Sequence, residues 1–167
     1  MEELDLSAAL DGADNPAVQL AITAAARSLA RAEQCRATLE KKLLQKEFDE
    51  ETVKTALDYL ESKKYLDDAR YASMWIRNHE AFKPQGKIRI LLELTRRGVK
   101  KNIAENAIME YFIDDKEESL CEEAFLKLSS KKKDQQKLFK SLADRGFSYS
   151  IIQKTFKKYK EALDGTE

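Results

Sequence analysis

Tyr65-Leu66-Asp67-Asp68-Ala69-Arg70-Tyr71-Ala72, followed by Trp75-Ile76-Arg77 and then by Gly86 through Val99, decides how the whole 167-residue chain is organised. The stretch reads as a stop, a helix, a break, a second helix and another stop. Asp67 or Asp68 suits a helix N-terminus, where a carboxylate accepts orphan backbone N–H groups and complements the dipole. Tyr71, Ala72, Trp75, Ile76, His79 and Phe82 recur at the spacing of one helical face. Pro84 and Gly86 interrupt that face, and Pro84 fits a first helical turn, which does not need its N–H. From Lys87 a second helix is expected, with Ile90, Leu91 and Leu94 inward and Arg89, Glu93 and Arg96 outward. Gly98 ends it, as the residue that enters the left-handed region without a Cβ clash.

The same register recurs on both sides. Leu39, Leu43, Lys46 and Phe48 become Ile90, Leu94, Arg97 and Val99 fifty-one residues on, and Leu138, Leu142, Arg145 and Phe147 forty-eight further. The following helix keeps step: Val53, Leu57 and Leu60 map to Ala104, Ile108 and Tyr111, then to Ile152, Phe156 and Tyr159. Three copies at about fifty residues predict an all-α chain, a tandem array of three three-helix repeats, each packing mainly on its neighbours. The expected units are 17–66, 67–114 and 115–163, between an acidic flexible tail over 1–16 and a short tail over 164–167. In the first unit, helices are expected over 17–32 and 33–46, with Cys35 on the stripe of Leu39 and Leu43, and Asp49 capping a third. Glu47 stands there in the place of Gly98 and Gly146, so a non-glycine must take a left-handed or altered conformation, at about 1 kcal/mol. The third copy has no Asp-Asp-x-Arg run, only the acidic start Asp114-Asp115-Lys116.

Composition agrees with thin amphipathic helices: 36% of residues are charged and only five glycines and two prolines occur, so helix breakers are scarce. Net charge is zero, yet residues 67–101 hold nine Lys/Arg against four acids, while the first sixteen residues hold five acids and no base. Cys35 and Cys121 form no metal-ligand spacing or disulfide framework. No apolar run approaches the roughly 18 residues of a membrane helix, and the acidic N-terminus is wrong for a secretory signal, so a cytoplasmic location is expected. No catalytic constellation can be assembled. The sole histidine, His79, shares its stripe with Trp75 and Phe82 and reads as a core-edge residue. Adjacent Asp67 and Asp68 do not face each other on a helix, so capping is preferred to metal binding. Trp75 and Tyr71 would serve as base-stacking platforms, but their spacing indicates core. Lys131, Lys132 and Lys133 close the first helix of copy three, where they complement its dipole; contact with nucleic acid or an acidic partner is the alternative.

The central segment resembles the RecX family, regulators of the bacterial recombinase RecA. The resemblance is carried by Tyr65-Leu66-Asp67-Asp68, Arg70-Tyr71-Ala72, Gly86, Ile90, Glu93-Leu94 and Arg97-Gly98-Val99. It implies an elongated, curved row of three-helix repeats, a non-enzymatic monomer without cofactor or metal, and binding to RecA or RecA–DNA filaments that inhibits recombinase and ATPase output. The signature residues Tyr65, Leu66, Asp67, Asp68, Tyr71, Ala72, Gly86, Ile90, Glu93, Leu94 and Gly98 are then largely structural. The outward cations Arg70, Arg77, Lys87, Arg89, Arg96, Arg97 and Lys100 are the expected contacts with the filament or DNA. A solvated face is the usual meaning of such a run; the local positive excess favours a polyanion or an acidic surface. Two alternatives stand beside this. The helix-break-helix outline resembles a helix-turn-helix, which would bind single- or double-stranded DNA with little sequence preference, since Arg89 and Arg96 lack Asn/Gln company for base readout. A helical scaffold for another partner is the third.

Overall fold

The computed structural model of the chain describes residues 15–80, 83–130 and 134–164, with side chains to Lys160. Among the described residues there are nine helices and no strand. They run α1 (Pro16–Leu29), α2 (Arg36–Leu44), α3 (Glu50–Ser62), α4 (Asp68–Glu80), α5 (Lys87–Arg96), α6 (Lys101–Tyr111), α7 (Lys116–Ser129), α8 (Gln135–Ala143) and α9 (Tyr149–Asp164). Within each group of three, the third helix packs against the first and the second. Leu43, Leu94 and Leu142 occupy equivalent places and are each at most 1% exposed, burial worth about 1.5–3 kcal/mol apiece. The apolar residues do not form three separate cores. Repeat one has its own cluster around Ile22, Leu39 and Leu57, whereas repeats two and three share one that runs from Ile76 and Leu94 to Leu142 and Ile152.

The second helix of each repeat ends in a left-handed residue: Glu47 at φ 66°, Gly98 at φ 92° and Gly146 at φ 83°. Two of these turns are also the places where repeats meet. Ahead of α5, Gly86 donates its N–H to the Arg145 carbonyl at 2.9 Å, and a Cβ on Gly86 would fall 2.2 Å from the Gly146 carbonyl oxygen. Ahead of α2, Cys35 Sγ donates to the Arg97 carbonyl at 3.1 Å, and a Cβ on Gly98 would fall 2.3 Å from Ala37 Cβ. The two junctions thus repeat one contact, the turn of a later repeat seated on the start of the earlier repeat's second helix.

Each junction also carries a cap across it. Neither Cys35 nor Gly86 offers a side-chain acceptor to the helix it precedes. Asp68 Oδ1 instead accepts the Arg36 N–H at 2.7 Å, and Glu117 Oε1 accepts the Lys87 N–H at 3.1 Å. A carboxylate from the first turn of the next repeat therefore satisfies one orphan donor of α2 and one of α5. In repeat three α8 is capped locally: Asp134 accepts from the N–H groups of Gln136 and Lys137.

Several expectations change in detail. Residues 30–35 separate α1 from α2, so Cys35 precedes α2 rather than riding on its stripe. Asn15 and Pro16 belong to α1 as its cap and first residue, not to a tail; residues 1–14 and 165–167 lie outside the described residues, as do Phe82 and Lys131–Lys133. Pro84 sits buried in the connection before α5, three residues ahead of the helix it was expected to begin. Asp115 precedes α7 without a side-chain cap, and Glu117 performs the junction role of Asp68 that the missing Asp-Asp run had left unassigned.

Candidate partner-binding face

The stretch from Tyr65 to Tyr71 closes the first junction residue by residue. The N–H groups of Tyr65 and Leu66 both donate to the Leu60 carbonyl, ending α3, and Leu66 is buried. Asp67 Oδ1 accepts the N–H groups of Ala69 and Arg70 at 2.9 and 3.0 Å and so caps α4. Those bonds, that from Arg70 first, hold the Asp67 carboxyl below its ordinary pKa against the opposing effect of burial. Asp68 turns the other way, to α2. Arg70 Nε donates to Glu33 at 2.6 Å, and its two terminal nitrogens donate to the carbonyls of Lys64 and Tyr65 at 3.0 Å each. Lys64 is itself left-handed, at φ 62°, so Arg70 clamps the bent connection between repeats. Tyr71 and Ala72 are buried beneath it.

The other expected contact residues divide by position. Lys87 pairs with Glu117 at 3.3 Å and lies 5.5 Å from the Phe112 ring centre. Arg89 pairs with Glu93 at 2.6 Å, and its backbone borders Gly146. Arg97 lies over Trp75, 5.1 Å from the ring centre, and Trp75 stacks on His79 at 4.5 Å. The first two belong to the second junction and Arg97 to the first. Arg77, Arg96 and Lys100 are exposed, as is Arg97. Arg96 reaches Glu93 only at 4.0 Å with 66% of its side chain exposed, and Arg77 and Lys100 have no ion-pair partner among the described residues.

Ile88 and Leu92, 61% and 47% exposed, were not singled out in the sequence. With Arg96 they stand at successive four-residue steps, so α5 presents an apolar-then-cationic stripe on the side away from Ile90 and Leu94. The signal was legible: both lie two residues off the buried pair, about 200° around a helix. Elsewhere at this end, Glu80 has a side chain only 6% exposed, and burial raises its pKa against the pull of Lys116 at 3.8 Å. Among the described residues no group of three His, Cys, Asp or Glu is placed to hold a metal ion, and no helix is long and apolar enough to cross a membrane.

Residues 21–60 match the family described as RecX, first three-helix domain, and residues 67–108 match RecX, second three-helix domain. The regulatory protein RecX of Treponema pallidum (strain Nichols) is 35% identical over 130 residues, spanning 78% of this chain and 79% of that one. The chain belongs to the RecX family. Regulatory protein RecX of Prosthecochloris aestuarii is 33% identical over 127 residues, 74% of this chain and 82% of its own. The crystal structure of RecX from Lactobacillus salivarius superposes with a TM-score of 0.77 at 25% identity, covering 85% of this chain and 96% of that one. The all-α, tandem three-helix architecture is thus that of RecX proteins, and the Tyr65–Ala72 run quoted at the outset is the part of this RecX chain that joins its first two repeats.

Proposed function

We propose that this RecX-family protein regulates recombination by binding a RecA–DNA filament through the outer face of repeat two, lowering recombinase and ATPase output without chemistry of its own. The observation that carries the reading is the exposed α5 stripe of Ile88, Leu92 and Arg96, in a repeat that also exposes Arg77 and Lys100. Apolar anchors that run into a cation on one stripe suit a protein surface that is itself associated with a polyanion: desolvated anchors supply affinity, and the charge supplies rate and salt dependence. Arg70, Lys87 and Arg89 contribute indirectly, by holding the repeats in register.

The test is RecA-dependent ATP hydrolysis on single-stranded DNA. Leu92→Ser combined with Arg96→Glu should lose about tenfold or more in inhibitory potency, roughly 1.4 kcal/mol, while keeping the parental melting temperature to within a few degrees. Lys54→Glu combined with Lys160→Glu, exposed positions in the outer repeats, serves as control and should inhibit like the parent. A folded Leu92/Arg96 variant of undiminished potency would remove this face from the interaction. Potency that follows affinity for bare DNA across the variants, with no preference for the filament, would favour the DNA-binding reading.

A further inference from the structure

We propose that the crevice between repeats one and two is a binding site for a phosphate group. Its volume is about 370 Å³, and three cations line it: Arg31 and Lys42 from repeat one and Arg97 from repeat two. The one acid on its wall, Glu33, is already engaged by Arg70 at 2.6 Å. Lys42 meets only neutral acceptors, Gln34 Oε1 at 2.5 Å and Ser28 Oγ at 3.2 Å. Arg31 has no ion-pair partner among the described residues, and Arg97 has only the face of Trp75. Ser28 and Thr38 add hydroxyls to the same wall. Gln34, buried and donating to the Ser28 and Ala32 carbonyls, fixes the loop that carries them. Uncompensated cations beside hydroxyl donors, with a planar guanidinium on one side, match a phosphate's charge and its several acceptor oxygens.

The second junction shows that this charge is not a by-product of the repeat. Fifty-one residues on, Lys42 becomes Glu93 and Thr38 becomes Arg89, and those two pair with each other at 2.6 Å. The same architecture thus carries its own carboxylate at junction two and none that is uncommitted at junction one. A phosphate held by Lys42 and Arg97 would tie repeat one to repeat two. The phosphate has two possible sources, a small phosphorylated molecule or the backbone of a nucleic acid, and the site does not depend on the recombinase reading.

Trp75, the chain's one tryptophan, lies under Arg97 and so reports on it. The full chain is titrated at constant ionic strength with inorganic pyrophosphate and, separately, with a short oligothymidylate. Trp75 emission is followed, with calorimetry on the same solutions. Both readouts should saturate, and Lys42→Glu, Lys42→Gln and Arg31→Glu should each weaken binding, the charge reversals by about tenfold. Lys41→Glu, exposed on the same helix but outside the crevice, should bind like the parent. Pyrophosphate as tight as the oligonucleotide identifies a small phosphate as ligand; a much tighter oligonucleotide identifies the backbone. No saturable heat or emission change with either ligand, or an equal loss in Lys41→Glu, overturns the site.

Discussion

Glu47 and Gly146 end equivalent helices with nearly the same backbone, φ 66° and 83°, yet one is glutamate and the other glycine. The difference lies in what stands above the turn. Gly146 is covered by repeat two, where a Cβ would fall 2.3 Å from the Arg89 backbone nitrogen; Glu47, in repeat one, is exposed. Leu20 and Tyr71 repeat the contrast. They are fifty-one residues apart in register, and Tyr71 is 7% exposed beneath repeat one while Leu20, in repeat one, is 63% exposed. A left-handed φ alone costs a side chain about 1–2 kcal/mol and is tolerated; close approach by a neighbouring repeat is what makes glycine obligatory.

The largest effect should come from Gly146→Ala, which combines left-handed strain with overpacking at the second junction: a loss of about 2–5 kcal/mol in chemical denaturation. A loss near 1 kcal/mol would mean that the junction yields and that φ alone matters. Gly86→Ala separates the two contributions. Its φ of −84° suits any residue, so only the clash with the Gly146 carbonyl remains, and about 1–3 kcal/mol should be lost. At the exposed turn of repeat one, Glu47→Gly should gain less than about 1 kcal/mol, because relief of strain is offset by a larger unfolded ensemble. A clear destabilisation there would show that Glu47 makes a contact its exposure does not suggest.

The smallest effect is in pH dependence, where the two regions should agree. Asp49 at the exposed turn of repeat one and Asp67 at the junction both have pKa values below the ordinary carboxylate, chiefly through the backbone N–H groups of Thr52 and of Arg70 respectively. A depressed native pKa means stability that is present above the unfolded value and lost as pH falls through the folded one. Asp49→Asn and Asp67→Asn should therefore each flatten the acid limb of a stability–pH profile and converge on the parent at low pH. A profile unchanged by either substitution would show that the cap does not depend on the carboxylate's charge.

Much of the fold was legible because it is periodic. The spacing of Leu39, Leu43, Ile90, Leu94, Leu138 and Leu142 carries the repeat, and Gly98 and Gly146 mark its turns. The junctions were not legible. Asp68 caps a helix that begins thirty-two residues earlier, and Glu117 one that begins thirty residues earlier, a separation at which no local pattern links donor to acceptor. Arg70 counted as a surface cation for the same reason: its partners Glu33, Lys64 and Tyr65 are assembled only by the junction. On the candidate face, charge drew the eye to Arg89 and Lys87, which are occupied by Glu93 and Glu117, and away from Ile88 and Leu92, which are uncharged and exposed.

The caps that cross each junction bear on the order in which the chain is made. Asp68 is made thirty-two residues after the Arg36 N–H it accepts and Glu117 thirty residues after that of Lys87, so neither α2 nor α5 has its cap until the next repeat has begun. Completion of one repeat waits on the first turn of the next, and ordering is handed along the chain from N-terminus to C-terminus. α8 differs, because its acceptor Asp134 stands one residue upstream and is made before it.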